Sequence, residues 1–287
     1  MNNQRIKLIE CPRDAMQGLH QFIDTDVKAA YINKLLQVSF DTIDFGSFVS
    51  PKAVPQMKDT AQVLSKLDLY LTNTKLLAII ANLRGAEQAI SFSQITYLGF
   101  PLSVSETFQQ RNTHKSISQA LEEVAQIQQL CEQNNKHLVV YLSMGFGNPY
   151  GDVYSPAIVK NLTQRLVEQN IYIIAPSDTI GCATPESIYT LFSVLLQAFP
   201  QTEFGAHLHS TPDTITEKLE AAYRAGCRRF DGAIRGFGGC PMAKDDLTGN
   251  IATEKMIDYF ETQHIDLQLN KTIFNEAYQY ANKIFST

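Results

Sequence analysis

The sequence predicts one (β/α)8 barrel with an additional C-terminal helix, a single domain over residues 1–287 with the barrel at about 6–262 and the last helix at about 270–285. Three observations carry this reading. Eight short β-rich runs alternate with helix-like stretches from end to end. Most of the runs are near-continuous apolar segments, as parallel strands covered on both faces require, rather than the alternating pattern of half-exposed ones. Polar and charged residues gather where each run ends, which in this architecture is the mouth of the barrel. An open doubly wound sheet is the runner-up, but eight units would make it unusually extended.

In chain order the expected strands are Ile6–Cys11, Thr42–Ser47, Lys75–Ile80, Gln94–Phe100, His137–Ser143, Ile171–Ser177, Glu203–Ser210 and Arg228–Ile234. The amphipathic stretches between and after them are Asp26–Val38, Pro55–Lys66, Arg84–Phe92, Ser116–Asn134, Ser155–Gln169, Pro185–Ala198, Thr211–Ala225 and Thr253–Thr262. Thr25-Asp26 and Thr184-Pro185-Glu186 are helix-start signals, and Gly226 is a stop. Asn270–Phe285 reads as the extra helix, docked outside the barrel or at a subunit contact that would make a homodimer.

Bulk composition narrows the partners. With 44% hydrophobic and 18% charged residues, the chain can bury a large core. A net charge of −5 without any basic block argues against nucleic acid or an anionic membrane as the main partner, though not against an anionic small ligand. The five cysteines show no CxxC spacing and read as reduced thiols. No signal-peptide pattern precedes Arg5–Glu10, and no apolar run has the length of a membrane span, so a cytoplasmic protein is expected.

The strand ends supply the candidate chemistry. In Gly205-Ala206-His207-Leu208-His209-Ser210 the two histidines share one strand face, about 7 Å apart along the chain, and two imidazoles so placed can close on one cation. Asp14, at the end of the first strand, can face them across the mouth. The amide oxygen of Asn250, in the loop after the eighth strand, offers a fourth ligand. Two imidazoles with oxygen donors suit an octahedral Mg²⁺ or Mn²⁺ better than a tetrahedral Zn²⁺. Arg13 presents a donor fork, but neighbours on a strand point to opposite faces, so Arg13 and Asp14 require an irregular turn, which Pro12 makes plausible. Asp44, Ser47, Asn82, Ser105, Glu106, Tyr141, Ser143, Ser177, Asp178, Thr179 and Arg235 complete the set at the strand ends. Cys240 stands after three glycines in four positions, in a loop able to close over a ligand, where a thiol can serve as acid or nucleophile. Cys11, Cys131, Cys182 and Cys227 read as small hydrophobes. Gly145–Gly151 lacks the spacing of a phosphate-binding fingerprint and reads as a loop at the mouth.

Together these motifs resemble a known family. Glu10-Cys11-Pro12-Arg13-Asp14-Ala15-Met16-Gln17 and the His-x-His pair resemble the DRE-TIM metallolyases. Ser47-Phe48-Val49-Ser50-Pro51-Lys52-Ala53-Val54-Pro55-Gln56-Met57 is more particular and resembles the 3-hydroxy-3-methylglutaryl-CoA lyase family. Ser177-Asp178-Thr179-Ile180-Gly181, Gly236-Phe237-Gly238-Gly239-Cys240-Pro241 and Thr248-Gly249-Asn250-Ile251-Ala252-Thr253-Glu254 do so as well. The resemblance spans Ile6 to Glu254 and implies a divalent cation, Mg²⁺ or Mn²⁺, on Asp14, His207, His209 and Asn250. It implies Arg13 as the group steadying a thioester oxygen as it becomes an enolate, and Cys240 as a loop cysteine needed for turnover. Gln17, Asp44 and Asp178 match positions bordering the substrate. The implied reaction is retro-Claisen cleavage of an acyl-CoA, giving acetoacetate and acetyl-CoA, with Asp14, His207 or a hydroxide on the cation as general base. Related condensing enzymes and aldolases share the superfamily motifs, and a non-catalytic metal- or acyl-CoA-binding protein is the alternative from another class. Three positions depart from the family pattern: Asp44 stands for glutamate, Ser210 for aspartate and Cys11 for glycine.

Overall fold

The computed structural model describes residues 5–70, 72–239 and 248–285. Eight parallel strands build the barrel: β1 (Lys7–Glu10), β2 (Thr42–Ser47), β3 (Lys75–Ile79), β4 (Ile95–Ser103), β5 (His137–Ser143), β6 (Ile173–Asp178), β7 (Glu203–Ser210) and β8 (Arg229–Gly232). Each pairs with its neighbours in sequence, and β8 returns to β1 with Leu8 opposite Phe230, so no edge is left among the eight. A two-residue strand, β9 (Gly249–Asn250), adds antiparallel to the end of β7, with Asn250 opposite His209. The closed barrel agrees with the sequence reading, and the open doubly wound sheet is set aside.

Helices follow the strands because their apolar faces cover the outside of the sheet. Helix Ile117–Gln133 starts at a capping box between Ser116 and Gln119, and Pro185–Ala198 at one between Thr184 and Ser187. The expected helix over Pro55–Lys66 is broken into a 3-10 turn, Pro55–Met57, and a short helix, Thr60–Leu64. The Thr60 hydroxyl explains the break. It donates to the Met57 carbonyl, which an uninterrupted helix would use, and accepts from the Ser47 amide of β2. Two helices lie where the sequence reading placed none, Pro12–Gln17 and Glu106–Thr113. The second carries one large apolar residue, Phe108, and so shows no periodic stripe.

Inside the barrel the two halves differ. Leu77, Tyr97, Val139, Tyr141 and Ala175, from β3 to β6, form a small apolar cluster separate from the outer core. The opposite half is ionic. Lys7 of β1 pairs with Glu203 of β7, Glu203 with Arg229 of β8 at 3.1 Å, and His207 with Asp231 at 3.2 Å. Arg229 is 1% exposed and passes over Gly205, where an added Cβ would lie 3.1 Å from its Cδ. That glycine is the space the arginine needs.

The C-terminal helix, Lys271–Phe285, docks outside the barrel on helix Thr25–Leu36. Its buried Phe274, Ala277, Ala281, Ile284 and Phe285 form one face. Tyr280 stacks on Tyr31, and Phe285 stacks on Phe237 with centroids 4.5 Å apart, so the helix braces the glycine-rich turn after β8. Among the described residues, no helix is long and apolar enough to cross a membrane.

Candidate active site

Strand β1 ends at Glu10, and Pro12 opens the helix Pro12–Gln17 at its first turn. This is the departure from strand geometry that Arg13 and Asp14 required. On a helix, positions three and four apart meet, and Gln17 joins both residues. Its amide nitrogen donates to Asp14 Oδ1 at 2.7 Å, and its oxygen accepts from Arg13 Nη1 at 2.8 Å. Arg13 Nη1 also donates to Asp14 Oδ1 at 3.0 Å, while Nε and Nη2 fork onto Asp44.

The three residues converge from the ends of β1 and β7, the two strands that flank β8. One ligand atom each from Asp14, His207 and His209 lies within 4.8 Å of the other two. The imidazoles stand edge to face with centroids 5.4 Å apart. Each ring is held by its Nδ1. His207 Nδ1 meets Asp231 Oδ2 at 3.2 Å, and His209 Nδ1 meets the Thr179 carbonyl at 3.0 Å. A carbonyl can only accept, so His209 carries its proton on Nδ1 and its Nε2 is a bare lone pair. That Nε2 is buried without a hydrogen-bond partner. A buried nitrogen lone pair beside a carboxylate and a second imidazole fits a cation, which would satisfy it.

The electrostatics agree. Burial, with His207 beside it, pushes the His209 pKa down to about 4, so the ring is neutral near pH 7. Burial also acts to lower His207, but the hydrogen bond and charge of Asp231, with the charge of Asp14, outweigh it and raise that pKa. Burial acts to raise Asp14; the charges of Arg13 and His207 and the Asn250 hydrogen bond prevail and lower it. Burial lifts Asp44 to about 6 against the pull of Arg13.

Asn250 reaches the cluster through the β7–β9 pairing, but turns its amide nitrogen to it, donating to Asp14 Oδ2 at 2.6 Å and to the Phe237 carbonyl at 2.9 Å. The sequence reading expected the oxygen there. A half-turn of the amide exchanges the two atoms in place.

A cavity of about 380 Å³ opens over the cluster. Arg13, Asp14, Gln17, His207 and His209 give it polar and charged lining, and Val49, Ala53, Val54, Ile79, Ala81 and Pro101 apolar lining. The Ser47–Met57 motif thus supplies apolar lining. Asn112 and Thr113 also face the cavity, from the helix the sequence did not reveal, together with Tyr141, Ser143, Ser177 and Thr179.

Other expected residues stand elsewhere. Asp44 is 1% exposed and Asp178 is fully buried, and neither lines the cavity: Asp44 backs Arg13, and Asp178 is paired with Lys218 at 2.9 Å. Asn82 and Ser105 cap helices. Arg235 lies over the Tyr278 ring. Cys182, expected to be a small core residue, is exposed, because it sits in the turn after β6 rather than in an element; Cys11, Cys131 and Cys227 are buried as expected. Cys240 falls outside the described residues, and Gly239 before it lines the cavity. Ser210 Oγ is buried without a partner. Asp231 and Lys218 escaped the sequence reading. Asp231 sits inside an apolar run, and its signal was period two: it and Arg229 share the face that β7 pairing turns toward His207.

Such a barrel, with two imidazoles of one strand and a carboxylate from another gathered at its mouth, defines an enzyme of the (β/α)8 type with a group able to hold a divalent cation. A family model described as HMGL-like matches residues 5–280, and the chain belongs to that family, with the hydroxymethylglutaryl-CoA lyases. A hydroxymethylglutaryl-CoA lyase of Bacillus subtilis is 32% identical over 259 residues, covering 90% of this chain and 85% of that one. The cytoplasmic 3-hydroxy-3-methylglutaryl-CoA lyase of Rattus norvegicus is 31% identical over 255 residues, covering 88% and 73%. The structure of an HMG-CoA lyase from Acinetobacter baumannii, in complex with coenzyme A and 3-methylmalate, superposes with a TM-score of 0.89 at 28% identity, covering 98% of this chain and 92% of that one.

Proposed function

We propose that the chain cleaves 3-hydroxy-3-methylglutaryl-CoA to acetoacetate and acetyl-CoA, using Mg²⁺ or Mn²⁺ held by Asp14, His207, His209 and Asn250. The observation that carries the reading is the buried, partnerless Nε2 of His209, gathered with Asp14 and His207 under the cavity. A bound divalent cation supplies Lewis acidity, making the substrate's tertiary hydroxyl more acidic and fixing its pose.

The chain's own groups supply the rest. Arg13 has five N–H donors; Asp44 takes those of Nε and one of Nη2, and Asp14 and Gln17 take the pair on Nη1. One Nη2 donor is left for the thioester oxygen, where charge develops as the carbon–carbon bond breaks. Asp44 fixes the fork, so that donor needs no reorganisation. The hydroxyl proton passes to Asp14, whose carboxylate keeps lone pairs beyond the one that would hold a cation, and Asp231 holds Nδ1 of His207 so that its Nε2 faces the cluster. The apolar lining limits water around the enolate. Cys240, one residue past Gly239, is the group proposed to return a proton to the enolate carbon.

The test is an assay of the purified chain with 3-hydroxy-3-methylglutaryl-CoA, with Mg²⁺, Mn²⁺ or excess chelator. Acetoacetate and acetyl-CoA in equal amounts, lost with chelator and restored by metal, is the expected result. No product with either metal at high enzyme concentration refutes it.

A further inference from the structure

The His209 ring is aimed by two things, its backbone at the end of β7 and the Thr179 carbonyl that fixes its Nδ1 proton. The β6–β7 ladder secures neither; beyond it, among the described residues, His209 is paired only with Asn250 of β9. The β6–β7 ladder ends at Asp178 opposite Leu208, and both the turn holding Thr179 and the residue His209 lie beyond that last pair. Something else must keep the two segments in register.

Lys218 meets that need. It lies in helix Ile215–Ala225, is 3% exposed, and sends its ammonium to the junction. Nζ donates to the His209 carbonyl at 2.7 Å, to Asp178 Oδ2 at 2.9 Å and to the Gly181 carbonyl at 3.2 Å. An ammonium has three donors, and all three are used here. One acceptor is the backbone of the histidine, and the other two bracket the turn that carries Thr179. Asp178 closes that turn from its other side by accepting from the Ala183 amide at both oxygens, each at 3.1 Å. Because Asn250 is reached through its pairing with His209, the same anchor places a second residue of the cluster.

We infer that Lys218 is a positioning residue for the metal site, setting the aim of His209 and, through it, of Asn250. The inference rests on the reading of the cluster as a divalent-cation site. Groups that orient ligands from behind typically change metal affinity 10- to 100-fold when removed, because a ligand displaced by about 0.5 Å no longer meets the cation. A lysine serving only to fasten the helix to the barrel would alter thermal stability and leave affinity alone.

The experiment is Mn²⁺ binding to the full chain, followed by electron paramagnetic resonance of free Mn²⁺, with the visible spectrum of the Co²⁺-loaded protein as a second readout. Lys218→Met keeps the volume but leaves Asp178 as an unpaired buried charge, so Asp178→Asn/Lys218→Met, with no charge left at the junction, is measured beside it. The expected result is a Kd for Mn²⁺ raised about 10- to 100-fold in each folded variant, with an altered Co²⁺ spectrum. A Kd within about twofold of the wild type, in a folded variant of lowered Tm, overturns the inference. If Lys218→Met does not fold, the double variant decides by the same criterion. A wild-type chain that binds no Mn²⁺ contradicts the metal reading itself, which keeps the two failures distinct.

Discussion

Glu10 is a buried acid whose hydrogen bonds hold the segments on either side of the glycine-rich turn. It ends β1, is 1% exposed, and accepts from the Ile234 amide at 2.9 Å and the Thr253 hydroxyl at 2.6 Å. It therefore ties β1 to both ends of the segment that contains Gly236–Gly239 and Asn250. No cation pairs with it in these contacts. Burial pushes its pKa up to about 8, with Glu254 adding to the rise and the two hydrogen bonds only partly opposing it. Between its ordinary range and pH 8 the folded chain thus keeps a proton that the unfolded chain has released, so stability falls as pH rises. The total loss by pH 9 is about 4–5 kcal/mol, of which about 1 kcal/mol comes between pH 7 and 9. Glu10→Gln imitates the neutral acid: its oxygen still accepts from Ile234, and its NH₂ can donate to the Thr253 hydroxyl. Thermal unfolding of both proteins from pH 6 to 9.5, in chelator, is the assay. The loss across this range is about 2–3 kcal/mol, so at about 2–4 °C per kcal/mol the wild-type Tm should fall roughly 5–10 °C further than the variant's. Parallel curves would refute the reasoning, since Glu10 would then ionise without cost.

Three further outcomes follow from the geometry. Asp231→Asn removes the carboxylate that holds His207 Nδ1, and Mn²⁺ affinity should fall about 10- to 100-fold by titration, with Tm changing less. Arg13→Met removes the donor fork, and kcat should fall about 10²- to 10³-fold in the cleavage assay; the buried Asp44 it leaves unpaired should also lower stability by about 3–5 kcal/mol in urea unfolding. Gly238 has φ +91°, and a Cβ there would lie 2.6 Å from Asn250 Nδ2 and 2.9 Å from the Asp14 carbonyl. Gly238→Ala should therefore weaken Mn²⁺ binding and kcat/KM together, while an unchanged metal affinity would show that the turn does not press on the site.

The barrel was readable because parallel strands buried on both faces leave apolar runs that need no partner to be recognised. The His207–His209 pair was readable for a local reason too: period two on one strand. Residues whose role depends on the partner strand or on the following helix were not. Asp178 and Asp44 look alike at strand ends, yet one is clasped by Lys218 and the other by Arg13, and both sit behind the cavity wall. Lys218 lies on the amphipathic helix Ile215–Ala225, where a lysine ordinarily means solvent; only the fold shows its ammonium turned inward. Asn112 and Thr113 were hidden because their helix has almost no apolar stripe.

The central claim is that Asp14, His207 and His209 meet on one divalent cation. The most direct measurement is anomalous diffraction from crystals grown with Mn²⁺. One manganese peak is predicted within about 2.0–2.3 Å of His207 Nε2, His209 Nε2 and an Asp14 oxygen. Crystals with Mn²⁺ ordered elsewhere, or no peak at this cluster in millimolar Mn²⁺, would contradict the account.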